Sequence, residues 1–128
     1  MSIQPSTLHY VAAFLYAATI PKHTRVGMKS IDPAVRTIHG TANEKAKKLL
    51  TPTWQHCNLW LITSALMSLK WAKTGGPVGT EEKVIVWAQV AFGIVTGYQY
   101  FKHDMYPGLA CLWAAPAATV AAMMWHKT

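Results

Sequence analysis

Acidic residues are scarce in this chain. Its 128 residues hold five Asp and Glu against twelve Lys and Arg. The shortage is also uneven, because residues 1–21, 49–69, 84–101 and 105–126 contain no Asp, Glu, Lys or Arg at all. A soluble helical bundle carries charge every turn or so on its wet faces, so these stretches argue against one. Each is close to the ~20 residues that a helix needs to cross a bilayer core. Only 13% of the residues are charged, about half the share of an average globular chain. Cysteine is nearly absent as well. Cys57 and Cys111 are too few for a disulfide framework and form no CxxC pair, and near the cytoplasmic ends of helices they read as free thiols. No phosphate loop, dinucleotide fingerprint, HxxxH pair or carboxylate within an apolar run occurs. That argues against a nucleotide-driven pump and a simple proton-coupled transporter and leaves no metal or cofactor motif.

What is present points to an all-α membrane domain of four transmembrane helices. The expected spans are residues 6–20, 52–71, 81–101 and 105–125, with an amphipathic, helical loop over 21–51 between the first two. Pro21 should end span one. In the loop, Asp32-Pro33 reads as an N-cap and first-turn proline for a helix to about His39, stopped by Gly40. Thr41-Ala42-Asn43-Glu44 reads as a capping box for a second short helix to Leu50, whose Lys45, Lys47 and Lys48 suit anionic headgroups. Thr51-Pro52 should start span two. Thr80 should cap span three, with Glu81 and Glu82 at its positive end, and Asp104 should cap span four. Pro116 should bend span four.

Basic residues concentrate in 22–48 and at Lys102. By the positive-inside rule this places the 21–52 loop in the cytoplasm and both termini on the lumenal or outer side, in an integral membrane protein expected in the endoplasmic reticulum. The net charge of +7 is explained by these flanks, so nucleic acid is not an expected partner. The expected partners are membrane lipid and a lipophilic small molecule. Gly93 and Gly97 form GxxxG, and Ala110, Ala114 and Ala118 continue a ridge of small residues, which allow close helix approach. They serve packing within the chain or, as an alternative, a homodimer or larger complex.

The four-pass plan gathers polar residues at the cytoplasmic end. His23, His56, Asn58 and Asp104 are the candidate catalytic residues: histidine titrates near neutrality, a carboxylate can share proton transfer, and an amide can orient an oxygen. Trp54, Gln55, Trp60, Tyr98, Gln99 and Tyr106 are candidate substrate contacts. On a helix, His56 and Asn58 lie about 160° apart, so they cannot both enter one pocket, and Asn58, the deeper, most needs an internal partner. The expected function is a small membrane enzyme acting on a lipophilic molecule by cofactor-free acid/base chemistry, as isomerase, cyclase or oxygenase. The alternatives are an accessory or scaffold subunit and a lipid- or sterol-binding protein.

Overall fold

The computed structural model describes residues 4–125. Among them every regular element is helical. Helix α1 runs Pro5–Val26 with Pro5 in its first turn, where the missing N–H costs nothing. Contrary to expectation, Pro21 does not end it. A mid-helix proline removes one hydrogen bond, but His23 and Thr24 beyond it are held by side chains of the third helix. A π-turn, Gly27–Ile31, then leads without a break into α2, Asp32–Arg36. Asp32 is therefore not an N-cap. Its carboxylate accepts a 2.8 Å bond from the Thr51 hydroxyl, and the helix stops at Arg36, short of His39. Gly40, at φ 103°, turns the chain in a conformation that favours glycine.

Helix α3, Glu44–Thr74, is a single rod of 31 residues with Pro52 inside it. This corrects two expectations. There is no separate interfacial helix to Leu50, and Thr51-Pro52 does not begin a span. The capping box is not made either: Thr41–Asn43 is a 3-10 turn with no side-chain cap. Contacts from α2 and its loop stitch the segment in place, Thr51 to Asp32 and the Lys47 ammonium to the Ile38 carbonyl at 3.2 Å. With those ties made in the turn before it, Pro52 is carried through.

Gly75, at φ 85°, closes α3, and the Gly76 N–H returns to the Trp71 carbonyl at 2.8 Å, a left-handed helix stop. Helix α4, Thr80–Lys102, has Gly79 rather than Thr80 at its N-cap. Glu82 accepts from the Val78 N–H and pairs with Lys70 of α3. Asp104 is not the cap of the last helix. It is the left-handed residue (φ 57°) of a Schellman stop to α4, with Met105 N–H bonding the Tyr100 carbonyl at 2.9 Å, and its carboxylate accepts the Tyr106 hydroxyl. The last rod is composite: a 3-10 turn at Tyr106–Gly108, a π-turn at Ala110–Ala114, then α5, Ala115–Trp125. The π-turn ends two residues before Pro116 and contains Leu112, whose carbonyl would otherwise face the missing proline N–H.

Helix α1 is central. It packs along α3 on one side and against α5 and the preceding π-turn on the other. Ala12, Tyr16, Leu61, Ala65, Cys111 and Ala115 form the shared core. Helix α4 joins through α5 and its π-turn. An added Cβ on Gly93 would sit 2.2 Å from the Leu112 carbonyl oxygen, and one on Gly97 2.0 Å from the Trp113 Nε1. The Trp113 indole N–H donates to the Gly93 carbonyl at 2.9 Å. The GxxxG face is thus filled by this chain's own last helix, and a second copy would have to displace Trp113 to use it. The alanine ridge is split: Ala110 and Ala118 are half-buried, and Ala114 is exposed.

Two rods, Thr80–Lys102 and Tyr106–Trp125, are long and apolar enough to cross a membrane. Four were expected. The rods of α1 and α3 are interrupted by histidine, proline, threonine and basic residues and, in α3, by the amides Gln55 and Asn58, which lower their mean hydropathy. Large apolar side chains nevertheless face outward on all four rods, among them Phe14, Leu66, Phe92 and Met124.

Candidate functional site

The α3 side chains at Cys57, Trp60, Leu61, Ser64 and Met67 recur every three or four residues, so they share one face. The α4 side chains at Ile85, Ala88, Gln89, Phe92, Thr96 and Tyr100 do the same. These two faces look at each other across a cleft of about 570 Å³, floored by Thr19 and His23 of α1 and by Gly108, Cys111 and Leu112. A volume of this order suits a drug-sized or lipid-like molecule. The lining is chiefly apolar, with hydroxyl, thiol, amide and imidazole groups set into it. One polar bridge crosses between the walls: the Gln89 amide donates to Ser64 Oγ at 2.9 Å.

His23 is the titratable group whose surroundings are most fully built. Its imidazole stacks on the Trp54 indole, with ring centroids 4.2 Å apart and planes 5° from parallel. The indole lies over Gly27, where an added Cβ would meet it at 2.7 Å, and its N–H donates to the His23 carbonyl at 3.1 Å. Asn58 completes the assembly. Its amide nitrogen donates to Thr24 Oγ1 at 3.1 Å, and its carbonyl oxygen lies 3.1 Å from His23 Nδ1. That oxygen can only accept, so Nδ1 carries the proton and Nε2 keeps its lone pair. Partial burial pushes the His23 pKa below the usual histidine value, and the Asn58 bond opposes that shift. Burial thus favours the neutral ring, with one nitrogen oriented and the other basic.

Of the expected catalytic residues, the structure joins His23 and Asn58 and leaves His56 and Asp104 apart from them. His56 is exposed, on the side of α3 that the 160° offset assigns to it. Asp104 is exposed and engaged with Tyr106. Of the expected substrate contacts, Trp60 lines the cleft and meets Tyr16 edge-on at 5.6 Å, while Trp54 acts through His23. Gln55, Tyr98, Gln99 and Tyr106 are exposed and do not line it. A fully continuous α3 and a tight turn after α4 rotate these side chains outward.

Thr19, Ser64, Gln89, Tyr100 and Cys111 line the cleft without having been foreseen as site residues. The three- and four-residue spacing of polar groups inside charge-free runs was the available signal, at Ser64 in α3 and at Gln89, Thr96 and Tyr100 in α4. Cys57 and Cys111 are both free thiols, as the sequence suggested. Among the described residues no three His, Cys, Asp or Glu side chains converge as a metal site would require. Compared with known protein families, characterised proteins and solved structures, the chain matches none.

Proposed function

We propose that the chain crosses the membrane four times, takes a lipophilic molecule into the cleft between α3 and α4, and acts on it by proton transfer at His23. The observation that carries this reading is the coincidence of an apolar cleft of ligand size with a neutral, oriented imidazole in its lining. Its support on the membrane side is the outward apolar surface of α1 and α3, where Phe14 is 69% and Leu66 60% exposed. In water such a surface would be an association hazard; against acyl chains it carries no such cost. The basic 22–48 segment then lies in the cytoplasm, in the endoplasmic reticulum or another cell membrane.

In this reading Asn58 fixes the tautomer, as the orienting member of a base-and-orienter pair does. His23 Nε2 takes a proton from an activated carbon or hydroxyl of the ligand and returns it to another position. The reaction balances as an isomerisation, or as a cyclisation started by proton transfer, with no oxidant or other co-reactant.

The test is turnover. Membranes carrying the wild-type chain, His23→Ala and Ala88→Trp (which fills the cleft) are incubated with a total lipid extract, and isomers are resolved by chromatography and mass spectrometry. The wild type should convert a lipophile that neither variant converts. Equal profiles would sink the enzyme reading. Sidedness has its own check: a glycosylation acceptor inserted at 76–79 should be modified and one at 40–43 should not.

A second reading, a binding protein without turnover, is favoured by one observation. His56 and Asp104 stand outside the cleft, so His23 is the one lining group whose ordinary pKa is near neutrality. In that case the ligand is retained and no product forms.

A further inference from the structure

A second site lies on the other side of α1. Lys22, Arg25 and Lys29 follow one another at intervals of three and four residues, which puts them on one helical face. With Pro21, Val26 and Ser30 they line a groove of about 630 Å³ at the end of α1 and in the π-turn. Among the described residues none of these three cations forms an ion pair or a side-chain hydrogen bond. The ion pair that the described residues do contain is Lys70–Glu82, on α3 and α4. The nearest acid in sequence, Asp32, is bonded to Thr51. Three like charges held together without a counter-charge repel one another, an arrangement that an anion relieves.

We infer that this groove binds the headgroup of a phosphate-monoester lipid, a phosphatidic-acid-like or phosphoinositide-like anion in the cytoplasmic leaflet. Two features select that class. The groove offers two ammonium groups, a guanidinium and the Ser30 hydroxyl. These four donors match the three free oxygens and double charge of a monoester better than the two free oxygens of a diester. Its position selects a lipid over a soluble anion, because Pro21, which lines the groove, is the last residue of a charge-free stretch. The inference rests on the membrane reading above and is independent of any chemistry in the cleft.

The experiment is native mass spectrometry of the full chain released from detergent, titrated with dioleoyl phosphatidic acid, phosphatidylglycerol and phosphatidylcholine, with inorganic phosphate and glycerol 3-phosphate as soluble arms. Phosphatidic acid should bind one to a chain and more tightly than phosphatidylglycerol. Each of Lys22→Gln, Arg25→Gln and Lys29→Gln should weaken it about five-fold, and the triple variant about a hundred-fold. Lys73→Gln, which removes an exposed charge at the other end of α3, outside the groove, should bind as the wild type does. Circular dichroism checks that each variant keeps its helices, and the single variants carry the test if the triple does not. Equal binding of phosphatidic acid and phosphatidylglycerol, or equal loss in the α3 control, would overturn the inference, since either would reflect general basic charge. Displacement of the lipid by millimolar inorganic phosphate would overturn the lipid assignment. Extraction of the chain from membranes by alkaline carbonate would instead overturn the membrane reading itself.

Discussion

Helix α3 has two long faces, and they have opposite fates. The face toward α1 is closed. Leu61 and Ala65 pack on Ala12 and Tyr16, and toward the basic end Asn58 and Trp54 satisfy the polar groups of His23 and Thr24. The face toward α4 stays open as the cleft, crossed by the Gln89–Ser64 bond and, near one end, by Lys70–Glu82. Small residues and matched polar groups allow two rods to close. Helix α4 instead spends its small residues, Gly93 and Gly97, on Trp113 and Leu112. That contact holds α4 to α5 and leaves its Phe92, Thr96 and Tyr100 side facing α3 across open space.

The largest expected break in this arrangement is Gly93→Ala. Its Cβ would meet a backbone carbonyl, which cannot rotate away, so α4 must shift from α5. The expected cost is about 1–3 kcal/mol, read as a lower thermal midpoint in detergent, together with loss of any ligand retained by the cleft. An unchanged midpoint would mean that the α4–α5 contact is not what positions α4. Gly97→Ala should cost less, because the neighbour there is the Trp113 side chain.

Opening the closed face is next. Asn58→Leu strands His23 Nδ1 and Thr24 and should destabilise by about 1–3 kcal/mol. It also removes the bond that raises the His23 pKa. An imidazole titration followed by NMR should therefore have its midpoint below the usual histidine value in the wild type and lower still in the variant. The sign of the pH dependence follows. The unfolded His23, with a pKa near ~6.5, binds a proton more readily than the folded one. This contribution to stability is complete above that value and is lost as pH falls through the depressed folded pKa. A stability that rose on acidification through this window, with His23→Gln as reference, would contradict the assigned burial.

A smaller effect is expected for Trp54→Phe, which keeps the stacking on His23 and deletes the N–H bond to its carbonyl: about 1 kcal/mol. The smallest is expected for His56→Ala and for Asp104→Asn, which keeps a residue that tolerates the left-handed turn, each within about 0.5 kcal/mol and neutral for ligand retention. A strong loss of function in either would place chemistry outside the cleft.

The helical class, the turns at Gly40 and 75–79 and the need of Asn58 for an internal partner were legible from residue pattern. The opposed directions of His56 and Asn58 followed from the helical angle alone. What was misread shares one cause. Pro21, Pro52, Thr51, Asp32 and Asp104 were all assigned by local rules for helix ends, and each was overruled by a contact distant in sequence or by an alternative backbone turn. Thr51 meets Asp32 across the loop, Thr24 meets Asn58, and Asp104 adopts the left-handed conformation that ends α4. Of the cleft lining only His23 and Trp60 were expected at the site, because its two walls are 31 residues apart at Cys57 and Ala88, and no local pattern says which faces of two rods remain apart.

The central claim is that the space between α3 and α4 is occupied by a lipophile. The most direct measurement is the stoichiometry of small molecules extracted from purified wild-type chain and from Ala88→Trp, after both are shown to melt alike. The account predicts about one lipophilic molecule per wild-type chain, beyond the general lipid common to both samples, and none in the filled variant. Identical extracts from the two proteins would contradict it.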